Sequence, residues 1–470
     1  MLSLKTLLPL AALASAATED LRTYSTYYPS ASEVAVDAAT ASTAVTTSDV
    51  EGIFAKRIFV IWLENTDFDK AAESEGLSYL AQYGITLDNY WALTHPSEPN
   101  YVAAVGGDYF ALDDDRFITF PKNVSTIVDL LESKNISWAE YQEHMPYTGF
   151  QGFNYSNQET FANDYMRKHN PLISYDSVSQ DADRLSHIKN FTQFEYDLAN
   201  EQLPQWAFIT PNMTNDGHDS SITVAANWSK NFFKPLLENE YFMNETLILL
   251  TFDENETYAD KNKVFALLFG GAVSESLHGT VDSTFYNHYS EIASVEANWD
   301  LDNLGRHDAA ANVFEIIAEA ANITNDDVDT TYLVNNETYT GYFNDASQEF
   351  PAPNVNLKNK AGNPVLPAIS SLWAEKYASQ SSAGFFTATT TTISTGSIPD
   401  ATTTASASGS ASGSASGSAK ASASVSASGS AKASATASSS AAATKSAGAG
   451  NTVQVAGLTA LFGFIAALAL

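Results

Sequence analysis

An α/β fold with a mainly parallel sheet is predicted by three features of this sequence. Short runs rich in apolar and aromatic residues recur between residues 56 and 271, helix-like patterns separate them, and several runs end in acids or amides. The runs are "KRIFVIWLEN" (56–65), "SWAEYQ" (137–142), "QWAFITPN" (205–212), "TLILLTFDEN" (246–255) and "KVFALLFGG" (263–271). Their length and composition suit buried strands better than helices. Between or after them, "VSTIVDLLESK" (124–134) and "AAANVFEIIAEAAN" (309–322) place apolar residues at helical spacing. Strands alternating with helices imply a sheet covered on both faces. Ligands bind such a sheet beyond the carboxyl ends of its strands. Glu64-Asn65, the loop "TPNMTNDGHD" and Asp253-Glu254 are therefore expected to meet at one edge.

The flanks differ from this body. Residues 1–16, "MLSLKTLLPLAALASA", have the layout of a cleaved signal peptide, and residues 17–52 form an Ala/Thr/Ser-rich segment expected to be loosely attached. The body is expected to span 53–379, followed by a Ser/Ala/Thr-rich stalk over 380–446, too poor in large apolar residues to order itself by burial. Residues 447–470 end in "VAGLTALFGFIAALAL" after small residues, the pattern of a GPI-anchor signal. The alternative, a single membrane helix, is short for a bilayer. Ten N-x-S/T sequons start at Asn123, Asn135, Asn154, Asn190, Asn212, Asn227, Asn244, Asn255, Asn322 and Asn336, in keeping with an exported glycoprotein of a eukaryotic cell surface or wall.

The chain has no cysteine, which excludes disulfides and thiolate chemistry. With 55 acids against 23 lysines and arginines, its charge of −32 argues against nucleic acid as a partner. An anionic substrate would need a local cation. Glu64, Asn65, Asp253 and Glu254 form a hard-oxygen set suited to Mg²⁺, Ca²⁺ or Mn²⁺. Ser97, in "HPSEPNYVAAV", precedes helix-compatible spacing that Gly106-Gly107 stops. It either caps that helix or, beside a cation, attacks a substrate held at the helix start. His218, in "NDGHDSS", has Asp219 to orient it and follows Asp216, and His288 opens a helix-like stretch. Either imidazole is suited to hold a phosphoryl oxygen or protonate a leaving group. His95 stands two residues before Ser97; His144, His169, His187, His278 and His307 are expected to be surface or capping residues.

These motifs resemble a known family. "LDNYWALTHPSEPNYVAAVGGD" is similar to the phosphoesterase family that contains bacterial phospholipases C and acid phosphatases, with its Pro-(Ser/Thr)-acid-Pro-Asn core; "VIWLEN" and "LLTFDEN" resemble its first and late metal motifs. Over roughly residues 55–345 the chain looks most like secreted fungal members. The resemblance implies an alkaline phosphatase-like α/β/α sandwich, Ser97 as nucleophile, and metal positions at Glu64, Asn65, Asp253 and Glu254. Asn100, Asp216, His218 and His288 fall at further active-site positions of the family; Asp216, His218 and His288 are read as catalytic and Asn100 as substrate-binding, and His95, from its place beside Ser97, is read as substrate-binding too. Two departures stand out: "DFDKAAESEGLSYLAQYG" lacks the histidines of phospholipase members, and the late pair is Asp-Glu where some members have Asp-Asp. The expectation is hydrolysis of small phosphate monoesters through a phosphoserine. Phospholipase C or phosphodiesterase action is the first alternative, and a non-catalytic cell-wall glycoprotein the second.

Overall fold

The backbone follows from strands that are apolar on both faces. In β1 (Arg57–Leu63), all seven side chains are buried, which a strand in the middle of a covered sheet requires. The other main-sheet strands are β2 (Gly84–Leu87), β3 (Trp138–Gln142), β4 (Ile188–Asn190), β5 (Trp206–Thr210), β6 (Thr246–Phe252), β7 (Ala266–Phe269) and β8 (Thr280–Asp282). Their spatial order is β8-β2-β7-β6-β1-β5-β3-β4. Only β7 runs antiparallel to its neighbours. The sheet is thus mainly parallel, as expected. The short strands β2, β4 and β8 are additional to the predicted runs.

This computed structural model describes residues 25–382, other than 46 and 346. The described residues fall within the first of two compact units, Met1–Pro399 and Asp400–Leu470. The expected signal peptide, the stalk beyond residue 382 and the anchor signal lie outside the described residues.

The helices that frame the sheet are, in chain order, α1 (Ala31–Thr40), α2 (Glu75–Ala81), α3 (Ser97–Gly106), α4 (Ile127–Ser133), α5 (Ile222–Leu237), α6 (Tyr289–Trp299), α7 (Glu315–Ala321) and α8 (Pro367–Ser382). Alternation along β1 separates two layers. Trp62 packs its ring on Tyr101 of α3 and donates to Glu291 of α6 at 3.0 Å, whereas Phe59 meets Phe242 on the opposite face, beside α5. Helix α2 packs against α5 on that second face, so helices cover both sides. The α/β/α layering matches the expected architecture.

Two boundary expectations change. Residues 25–52 are not loosely attached: α1 buries Val34, and Ser48 Oγ bonds Ser137 Oγ at 2.8 Å and Gln205 Oε1 at 2.6 Å. Their Ser and Thr hydroxyls find partners on strand starts, which composition alone does not show. The body also continues to Ser382, because Trp373 and Gln380 of α8 are buried.

Strand β3 carries an acid in the core. Glu140 Oε1 accepts the Leu172 N–H at 3.0 Å, while its Oε2 has no partner. Burial pushes this carboxyl up to about 8 from an ordinary 4.5, opposed by the Leu172 hydrogen bond. An acid raised in the folded state favours folding while protonated. That contribution is complete below about 4.5 and lost as pH climbs through about 8. Thermal melts are expected to show the wild type losing stability between pH 5 and pH 8 more steeply than Glu140→Gln. The difference in slope should amount to at least about 2 °C in Tm. Parallel slopes would show that Glu140 is not the group responsible.

Candidate active site

The carboxyl ends of β1, β5 and β6 and the 3-10 turn Arg167–His169 build one buried cluster. From β1 comes Glu64: its Oε2 accepts the Ser97 hydroxyl at 3.2 Å and Asn65 Nδ2 at 2.8 Å, and its Oε1 accepts the Tyr101 phenol at 2.6 Å. Asn65 adopts a φ of 47°, a left-handed turn that asparagine tolerates better than most residues, which lets its N–H reach Asp253 Oδ1 at 3.1 Å. From β6 come Asp253 and Glu254. From the loop after β5 come Asp216, whose Oδ1 accepts the His218 N–H at 2.8 Å, and His218 itself.

Ser97 is the first residue of α3 and only 2% exposed. Its hydroxyl does not cap the helix; it points at Glu64. The next helical N–H, of Glu98, is already bonded to Asp115 Oδ1 at 2.9 Å, so it does not stand free for a substrate as the helix-start reading expects. The helix ends at Gly107, whose φ of 74° suits glycine; an added Cβ would lie 2.7 Å from Asp308 Oδ1.

The electrostatics are dominated by burial. It raises Glu64, helped by repulsion from Asp253 and Asp216, and raises Glu254, helped by Asp253. Asp216 and Asp253 are raised by burial as well, the latter despite hydrogen bonds from the Asn65 backbone and Ser97. Burial, then Lys168 and His218, pushes His169 far down. His169 Nε2 lies 3.1 Å from Glu64 Oε1, and its Nδ1 3.3 Å from Asp216 Oδ2. Yet His169 Nε2, Asp216 Oδ2 and Asp253 Oδ2 are buried with no hydrogen-bond partner. Glu64, His169 and His218 each offer a ligand atom, all within 4.8 Å of one another. Unsatisfied donor atoms gathered this closely, with carboxyls repelling one another, fit a divalent cation.

The expected residues separate into two groups. Glu64, Asn65, Ser97, Asp253, Asp216 and His218 come together. Glu254 adjoins Asp253, but its two oxygens are engaged by His95 Nδ1 at 2.5 Å and by the Tyr258 hydroxyl at 3.0 Å. Three placements correct the sequence reading. Asn100 is fully buried and satisfied: its Oδ1 accepts from Leu93 N and Thr94 N, and its Nδ2 donates to the Thr94 and Pro96 carbonyls, so it staples the 93–96 loop and has no atom left for a substrate. His95 is buried and stacked on Tyr258 with ring centroids 3.7 Å apart, which aims it at Glu254 and not at a substrate. His288 is fully buried behind the strand end, donating from Nε2 to the Asp253 carbonyl at 2.7 Å and packed on Trp62, so it steadies Asp253 from inside and faces no leaving group.

Two residues of the cluster escaped the sequence reading. His169 is a cluster member and not a surface histidine, and Lys168 beside it is buried. The available signal was "RKH" at 167–169, three consecutive basic side chains in a strongly acidic chain.

Carboxyls, imidazoles and a hydroxyl gathered at the carboxyl edge of an α/β sheet are the make-up of a metal-assisted hydrolase. Residues 75–302 match the profile of the Phosphoesterase family. The chain is 63% identical over 383 residues to a probable acid phosphatase from Kluyveromyces lactis, covering 82% of this chain and 90% of that one. It is 59% identical over 313 residues to an acid phosphatase from Aspergillus fumigatus, covering 67% and 70%. Among solved structures, an alkaline phosphatase superfamily protein from Vibrio parahaemolyticus is similar at a TM-score of 0.35 and 9% identity, covering 54% of this chain and 67% of that one. The chain belongs to the phosphoesterase family.

Two sequons lie within the site loops. Asn212 donates from Nδ2 to His144 Nδ1 at 2.9 Å and accepts at Oδ1 from Thr214 N and Asn215 N. Asn255 donates from Nδ2 to the Thr257 and Lys261 carbonyls. Both are buried, so a glycan on either would break these bonds and need space the fold does not leave. Peptide mapping of the chain from a eukaryotic host is expected to find both unmodified, with carbohydrate instead at exposed sequons such as Asn123, Asn135, Asn227, Asn244 and Asn322. Full occupancy at both buried sites would contradict these loop placements.

Proposed function

We propose that the chain is an acid phosphatase that hydrolyses phosphate monoesters through a phosphoserine on Ser97. Phosphatase activity is supported by its fungal relatives. The observation that carries the finer reading is the Ser97 hydroxyl, aimed at Glu64 Oε2 from 3.2 Å at the start of a helix. Glu64 and Asp253 would hold the divalent cation, completed by Asn65 and Glu254 or by His169 and His218. When bound, it would neutralise phosphoryl charge and lower the serine hydroxyl's pKa. The proton of Ser97 leaves along its hydrogen bond to Glu64 Oε2 as Oγ bonds phosphorus and the ester oxygen departs. Where Asn65 and Glu254 complete the metal site, His218 keeps Nδ1 2.7 Å from Asp219 Oδ1, and a protonated Nε2 gives its proton to that oxygen. Water then gives a proton to His218 as its oxygen attacks phosphorus, the P–Oγ bond breaks, and Ser97 Oγ regains its proton from Glu64 as phosphate leaves.

We also infer export and anchoring at the cell surface. The N-terminal apolar run, the sequons and the C-terminal apolar run support this. Among the described residues, no helix is long and apolar enough to cross a membrane.

Two measurements test the mechanism. Ser97→Ala is expected to lower p-nitrophenyl phosphate turnover between pH 4 and 7 by at least about a thousandfold, with the melting temperature kept. Retention of wild-type turnover would refute the nucleophile. Elemental analysis of purified Glu64→Gln and Asp253→Asn is expected to show bound metal reduced at least about tenfold. His169→Ala separates the two ligand sets: it loses metal if the imidazoles are ligands and keeps it if Asn65 and Glu254 are. Wild-type metal content in all three variants would refute both sets.

A further inference from the structure

A cluster of buried carboxyls repels a dianionic substrate, and Lys168 is the ammonium set among them. The Lys168 side chain is only 9% exposed. Its Nζ lies 2.9 Å from Asp115 Oδ2 and 3.2 Å from His218 Nε2. An ammonium has hydrogens to give and no lone pair, so His218 Nε2 is the acceptor, with Nδ1–H on Asp219. Arg167 cannot serve instead. Its two terminal nitrogens donate to the Gln151 and Ile173 carbonyls, and the guanidinium lies over the Phe117 ring.

Asp115 joins this lysine to the nucleophile. One carboxylate oxygen takes the Glu98 N–H, one residue after Ser97, and the other takes Lys168. The ammonium is thereby fixed relative to the first turn of α3. The Asp115 carboxylate, 2.9 Å away, is its counter-charge.

We propose that Lys168 binds the non-bridging oxygens of the substrate's phosphoryl group, with Asp115 as its positioning residue; this rests on the phosphomonoesterase reading. Three charge-assisted donors on a flexible stem suit a phosphoryl group. As phosphate enters, Lys168 turns from His218 Nε2 to the phosphoryl oxygens. Freed of the ammonium, Nε2 can take up the proton that it then passes to the leaving oxygen. Phosphate therefore replaces His218 as a partner of the ammonium, while Asp115 keeps its hold.

The test uses the full chain with its metal. Lys168→Met, which keeps the stem, is expected to weaken inorganic phosphate binding by calorimetry, and to raise KM for p-nitrophenyl phosphate, each at least about tenfold. Lys168→Arg should stay within about fivefold of wild type, since the charge is kept. Asp115→Asn should raise KM more than it lowers kcat, which a purely structural role would not do selectively. Where Lys168→Met does not fold, Lys168→Gln, which is neutral but keeps a polar donor, supplies the same comparison. Phosphate affinity within twofold of wild type in a folded neutral variant overturns the proposal and leaves the phosphatase reading intact. Absence of turnover in the wild type with Mg²⁺, Ca²⁺ or Mn²⁺ removes both.

Discussion

Four carboxyl groups buried together at one edge of the sheet are the constraint to which the rest of the site answers. Glu64, Asp216, Asp253 and Glu254 are each raised by burial, and mutual repulsion adds to the rise in Glu64. Like charges at such spacing cannot all be ionised without compensation. The fold supplies donors in partial answer: Tyr101, Asn65 and Ser97 give hydrogen bonds to Glu64, and the Asn65 and His218 backbones give theirs to Asp253 and Asp216. These leave Asp253 Oδ2 and Asp216 Oδ2 unmatched. Replacing one acid by an apolar residue would relieve the repulsion. Such a cluster favours a role in holding positive charge, from a metal ion and from Lys168, over a role in stability.

The scaffold that holds these acids was legible to different degrees for physical reasons. β1, β3, β5, β6 and β7 are covered on both faces, and so read as apolar runs in the sequence. β2, β4 and β8 have three or four residues each, too few for a pattern to stand out from loop composition. The reversed direction of β7 leaves no trace in composition, because a buried strand looks the same either way. The strand-end acids were legible because chain direction in a parallel sheet fixes which end of each strand carries the site. Lys168 and His169 were not, because they lie on a 3-10 turn between β3 and β4 where no periodicity reports orientation.

The motif around Ser97 shows what a residue pattern omits. "HPSEPN" contains Ser97, which faces the acids, and also His95 and Asn100, which do not face a substrate. Asn100 spends every hydrogen-bonding atom on the loop before Ser97. That loop is tied again from outside, where Thr94 Oγ1 donates to the Glu337 carbonyl at 2.9 Å and Thr338 Oγ1 to the His95 carbonyl at 2.6 Å. Spacing identified the segment, and hydrogen-bond accounting divides it into one hydroxyl that faces the acids and its supports.

The same accounting applies to the histidines. His95 and His288 each meet one member of the Asp253-Glu254 pair: His288 through the Asp253 carbonyl, His95 through the Glu254 carboxyl. Burial lowers His95 to about 4, so above that pH it adds no positive charge of its own. A neutral imidazole can orient Glu254 without consuming the negative charge that a cation needs. A charged lysine in that position would neutralise Glu254 outright. The cation of the site instead stands across the cluster at Lys168, paired with Asp115, which is a separate acid. With neutral imidazoles behind the acids and the ammonium paired to a separate acid, the carboxyl charge is kept for the proposed metal ion and the Lys168 charge for the phosphoryl group it is proposed to bind.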